Sequence, residues 1–373
     1  MKQIAPLGFA IVSLIALGPA GCGGDVGTTT EGTGAAGTTS MSAGGAPTTS
    51  SGTTVSSGSG GSATTTGSAT TSASSSSSGG GNVPDPNADG PYQIAEIDDK
   101  IASVAGGDTN VPVHCAYPTS GPSSGPHPVV VIGHGMQLPI TQYASYVRRL
   151  ATFGYVALTV DFPASLFGVD NPKAAKDLIA GLDWAKGKPM LDADADHAGM
   201  TGHSLGGKLA LLAATQDARV KAAITLDPVD GGGPTGCNAP ACVDVSDLMP
   251  SLHIPTGFVG ETTDAVGGFM PCAPAANNFQ TFYAGANAPS LAVTVLGGNH
   301  MSFLDDVSTC GVTCSFCQPA TAPNAQVNGL ARAYVVAFYE RHLRGNTAYD
   351  TYLTGAEAQA RYVTTSQATL ASK

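Results

Sequence analysis

Positive charge is scarce in this chain. Its 373 residues carry 16 Lys and Arg against 27 Asp and Glu, a formal net charge of −11. That balance argues against nucleic acid and anionic surfaces as partners. A membrane-length apolar run is missing from the N-terminus: Ile4 to Leu17 falls short of the roughly 20 residues a span needs. Zinc-ribbon spacing is absent, because no second C-x-x-C accompanies Cys314 and Cys317. A calcium loop is absent as well. Asp192, Asp194 and Asp196 have its spacing, but His197 stands where Gly is needed and His203 where a bidentate Glu is needed. The acidic stretch therefore reads as a solvated turn before a strand. No cofactor and no metal are expected.

What is present is uneven along the chain. Lys2, the apolar run and the small residues up to Cys22 read as a secretory signal over residues 1–22. Ala20-Gly21-Cys22 is similar to a bacterial lipoprotein signal in which Cys22 takes the lipid, although Pro19 stands where that pattern has Leu. Membrane contact is expected only through that lipid, and the location is extracytoplasmic, anchored or freely secreted. Residues 23–90 are almost wholly Gly, Ser, Thr and Ala at first and read as a disordered tether. A coil of that length reaches about 45 Å. Residues 91–373, about 280 in number, suit one α/β domain, expected to act as a monomer.

Eight cysteines fit an oxidising compartment. Without Cys22 seven remain, so at least one has no partner within the chain. Cys237 and Cys242 bracket a short loop and form an expected local bridge. Cys272, Cys310, Cys314 and Cys317 can supply one or two more. Cys115, within a predicted strand, is the expected buried thiol.

Apolar runs predict strands over Val111–Tyr117, Val129–Ile132, Tyr155–Val160, Ala198–Thr201, Val220–Leu226, Ile254–Val259 and Leu291–Leu296. Helical spacing links Ile140 to Leu150, Leu178 to Ala185 and Val327 to Phe338, with the single tryptophan, Trp184, on or beside the second stripe. Alternating strands and helices imply a mainly parallel sheet covered on both faces. Reactive groups gather at the carboxyl ends of such strands.

The sequence is organised around Gly202-His203-Ser204-Leu205-Gly206, a G-x-S-x-G between a short strand and a helix marked by Leu205, Leu209 and Leu212, with Lys208 expected to face outward. A serine hydroxyl needs a base and a group to orient that base. His300 follows the last predicted strand and fits the base. His203 and His134 are too constrained, His342 is helical, and His114, His127, His197 and His253 precede or lie inside strands. The acid is Asp227 or Asp264, each following a strand. The N–H groups of Leu205 and Met136, the latter in Gly133-His134-Gly135-Met136, are candidates for an oxyanion hole.

These residues resemble the chlorophyllase branch of the α/β-hydrolases, near the cutinase-like and dienelactone-hydrolase-like esterases. The likeness rests on Gly202–Lys208, Leu226–Gly231, Pro271–Pro274 and His300–Asp306. It implies Ser204 as nucleophile, Asp227 as acid, His300 as base, and a bridge between Cys272 and Cys310. Gly260–Ala265 is similar to the acid-bearing loop of cutinase-like polyester hydrolases and favours Asp264 instead. Leu205 stands where plant chlorophyllases usually carry Arg, which argues against chlorophyll as substrate. The expected function is a serine carboxylesterase acting on small or lipophilic esters. The alternatives are a cutinase- or lipase-like polyester hydrolase and a non-catalytic binding module on the same fold.

Overall fold

A computed structural model describes residues 83–104, 110–165, 168–231, 237–267 and 271–373. The signal, most of the tether and Cys22 lie outside the described residues. One nine-stranded sheet organises the chain. In chain order its strands are β1 (Gln93–Ile101), β2 (Val111–Ser120), β3 (His127–Gly133), β4 (Val156–Val160), β5 (Ala193–His203), β6 (Val220–Leu226), β7 (Thr256–Glu261), β8 (Ser290–Val295) and β9 (Ala368–Ser372). Across the sheet the order is β1-β2-β4-β3-β5-β6-β7-β8-β9. The six strands from β4 to β8 in that order are mutually parallel, while β1, β2 and β9 are antiparallel to their neighbours.

The pleat of β3 explains why both faces are covered. Val129 and Val131 point into one core with α2 (Asn171–Lys186), α3 (Leu205–Gln216) and α4 (Phe279–Gly285). Val130 and Ile132 point into the other with α1 (Ala144–Thr152) and α5 (Asn324–His342). All four side chains are fully buried, and each such burial contributes about 1.5–3 kcal/mol. A strand apolar on both faces needs helices on both.

Several expectations are corrected. Asp194 and Asp196 belong to β5 itself, where His127 and Pro128 of β3 pair with Ala193 and Asp194. Only Asp192 makes a turn, with φ of 45°. The carboxylates hold local cations, Asp196 with Lys186 and Asp194 with His197. Lys208 does not face outward; it is fully buried. Cys272 pairs with Cys317 rather than Cys310, which pairs with Cys314. The Cys237–Cys242 bridge is present, and Cys115 is a buried free thiol in β2. Trp184 lies beside the buried stripe of α2 and donates to Asp99 at 2.9 Å.

β1 and β9 escaped the sequence reading because both lie at sheet edges and are largely solvated. The packed chain reaches back to Val83, inside the stretch that composition reads as tether. Arg361 pairs with Asp85, and Tyr349 donates to the Pro84 carbonyl. No described helix is long and apolar enough to cross a membrane.

Candidate active site

Ser204 stands where β5 turns into α3, with φ 55° and ψ −123°. Such a conformation costs on the order of 1–3 kcal/mol for a residue with a side chain. Its surroundings hold it there. The Ser204 N–H donates to the Leu226 carbonyl at 3.0 Å, and its own carbonyl accepts from Lys208 and Val229. The turn can be this tight only because Gly202 and Gly206 lack side chains. A Cβ on Gly202 would strike the Gly206 carbonyl, and one on Gly206 would strike the end of β3 at Gly133.

His300 opens a short 3-10 turn after β8, with Asn299 and Ser302 capping each other. Four contacts fix it. Nε2 lies 2.8 Å from Ser204 Oγ, and Nδ1 lies 2.6 Å from Asp227 Oδ2. The backbone N–H donates to Asp264 Oδ2 at 2.8 Å, and the carbonyl accepts from His203 Nε2 at 2.8 Å. Both candidate acids therefore touch His300, Asp227 at the ring and Asp264 at the main chain.

Asp227 is fully buried at the end of β6, in the left-handed region with φ of 42°. Its N–H donates to the Val259 carbonyl, and its Oδ1 accepts from the Glu261 N–H at 3.2 Å. Burial raises its carboxyl above the ordinary value, partly offset by the hydrogen bond and charge of His300. Asp264 is equally buried, and its second oxygen accepts from the Gln318 N–H at 2.6 Å. Gln318 follows Cys317, so the Cys272–Cys317 bridge tethers that anchor.

Three participants carried no sequence signal beyond their type. His203 is buried, and burial holds its imidazole well below the ordinary pKa, so it is neutral. Because Nε2 meets a carbonyl, Nε2 carries the proton and Nδ1 accepts. The Tyr143 hydroxyl lies 3.0 Å from that Nδ1 and itself receives the Gly135 N–H at 2.9 Å. A continuous chain thus joins the loop after β3 to the backbone of His300. Lys208 is the second. Its Nζ is 3.2 Å from Asp230 Oδ1 and 3.4 Å from Cys242 Sγ. Asp230 also accepts from the N–H groups of Val245 and Ser246. The pair ties the first turn of α3 to the loop beyond Asp227, and leaving either charge alone there would cost several kcal/mol, about 3–5 by analogy with other buried pairs. Glu261 is the third and is taken up below.

Leu205 occupies the first helical position of α3, where the helix ladder offers its N–H no partner. Met136 lies half-buried on the loop after β3, two residues beyond His134, whose ring stacks on Phe162 at 4.0 Å. Asp227, Glu261 and His300 each place one ligand-type atom within 4.8 Å of the others. In that trio His300 Nδ1 is engaged by Asp227, and Nε2 faces Ser204. Chemically, such a series can draw the proton from a hydroxyl and stabilise the resulting imidazolium.

A mostly parallel sheet, helices on both faces and a serine on a strained strand-to-helix turn define the α/β-hydrolase class. Within it the chain belongs to the chlorophyllase family, whose profile matches residues 89–364. It is 27% identical over 271 residues to a bis(hydroxyethyl) terephthalate hydrolase of Streptomyces coelicolor, covering 71% of each chain. It is 27% identical over 248 residues to chlorophyllase-2 of Arabidopsis thaliana, covering 60% of this chain and 75% of the relative. With chlorophyllase-1 of the same plant the identity is 25% over 260 residues, 64% and 78% of the two chains. Ester hydrolysis is the activity class that these relatives support for this chain.

Proposed function

We propose that the protein is a serine carboxylesterase working through an acyl-enzyme. His300 Nε2 takes the proton of Ser204 as Oγ attacks the ester carbonyl. Asp227 holds the imidazole in the correct tautomer and balances its charge. The oxyanion rests on the N–H groups of Leu205 and Met136, each worth about 2.7–4 kcal/mol of barrier lowering in comparable sites. His300 then protonates the departing alcohol and activates the water that releases the acid. The observation that carries this reading is the unbroken contact from Ser204 Oγ through His300 to Asp227.

Small or lipophilic esters are the proposed substrates. The Streptomyces relative, named for an aromatic diester, favours a second reading in which aromatic polyester fragments are the substrate. Residues 1–22 are proposed as a secretory leader with a lipid on Cys22, and the stretch from residue 23 up to the packed Val83 as a tether holding a monomeric catalytic domain off the envelope. Three bridges accord with an oxidising compartment. The full-length protein is expected to turn over p-nitrophenyl butyrate with saturation kinetics, and acid-quenched protein should carry a butyryl group on the Ser204 peptide. No turnover of any short ester would overturn the proposal. Faster release of aromatic acid from bis(hydroxyethyl) terephthalate than from aliphatic esters of like size would select the second reading.

A further inference from the structure

Behind the Ser204–His300–Asp227 series lies a third carboxyl group with no part in the steps above. Glu261 ends β7 and is fully buried. Its Oε2 accepts the Asp264 N–H at 3.0 Å, while Oε1 is buried with no hydrogen-bond partner among the described residues. Its N–H donates to Asp227 Oδ1 at 3.2 Å. One of its carboxyl oxygens lies within 4.8 Å of both an Asp227 oxygen and a His300 ring nitrogen. A buried carboxyl oxygen with no partner beside a buried carboxylate is costly unless it contributes something.

We propose that Glu261 is a positioning residue for His300: its backbone N–H steadies Asp227 at the ring, and its carboxyl group steadies the turn of Asp264, which holds the His300 main chain. This rests on the assignment of His300 as base. The groups facing Glu261 are Asp227 from the end of β6, Asp264 from the turn after its own strand and His300 from the end of β8. His203 lies behind His300, with ring centroids 4.7 Å apart.

The protonation state follows from that setting. Burial, and next the charge of Asp227, push the Glu261 carboxyl up to about 9. At neutral pH it is an uncharged acid, so Glu261 adds no further anion beside Asp227. Above that value Glu261 loses its proton. A further buried negative charge then pushes against Asp227, and its hold on the His300 ring loosens.

The test compares E261A and E261Q with the wild type, rates being normalised to sites titrated with a fluorophosphonate. E261A removes the acceptor for Asp264, and kcat should fall about 10- to 100-fold with KM little changed. E261Q keeps an acceptor and cannot ionise. It should restore most of that loss at pH 7.5, and its kcat should lack the decline that the wild type shows as pH passes about 9. A titratable E261A with wild-type kcat would overturn the inference, as would an E261Q that keeps the alkaline decline. If E261A does not fold, the pH profile of E261Q decides alone. Failure of the underlying site would look different, since the wild type itself would then not be titrated.

Discussion

Ser204→Ala should lower kcat for p-nitrophenyl butyrate by about 10⁵- to 10⁶-fold, the scale seen when the nucleophile of such a series is removed. The loss is large because His300 Nε2 would have nothing to deprotonate at the elbow, and water would have to replace an oriented hydroxyl. Folding should survive. Alanine keeps a Cβ in the same left-handed conformation, so the backbone strain is unchanged. The hydroxyl lost sits at a half-exposed position and bonds only to His300 among its described contacts. Thermal melts should agree within a few degrees, while steady-state assays separate the two proteins completely. Undiminished activity in a folded Ser204→Ala protein would remove Ser204 from the mechanism.

The second large effect separates the two acids. Asp227→Asn should cost about 10⁴-fold in kcat, because an amide at the ring favours the wrong imidazole tautomer. Asparagine tolerates the left-handed φ of 42° and still offers an oxygen to the Glu261 N–H, so geometry is retained. Asp264→Asn should cost far less, about ten-fold, because Asp264 meets the His300 backbone and an amide can still accept one of its two N–H groups. Paired kinetics on the two variants give the answer. The reverse ranking would make Asp264 the orienting acid.

The sequence carried the parts of this site that depend on local pattern. The elbow was visible because a strand, two crowded glycines and a helix must be contiguous. His300 was visible because it follows a strand late in the chain. Asp227 and Asp264 could not be separated, since both follow parallel strands, and choosing between ring and backbone needs distances across three strands.

Lys208 misled for a definable reason. α3 has apolar residues on every side, so its helical spacing does not reveal which face meets solvent. The partner that makes burial of Lys208 tolerable, Asp230, is 22 residues away. The disulfides were similarly opaque. Cys310, Cys314 and Cys317 all lie within a few residues, and only the path of the chain past Asp264 decides which of them meets Cys272. Glu261 gave no signal at all, because its role comes from a carboxyl buried among others.

The most direct test of the central claim is covalent capture. Full-length protein treated with a fluorophosphonate should gain one phosphonyl group, mapped by peptide mass spectrometry to Ser204, with ester turnover lost in proportion to labelling and His300→Ala labelled orders of magnitude more slowly. Labelling at another residue, or full turnover after complete labelling, would contradict it.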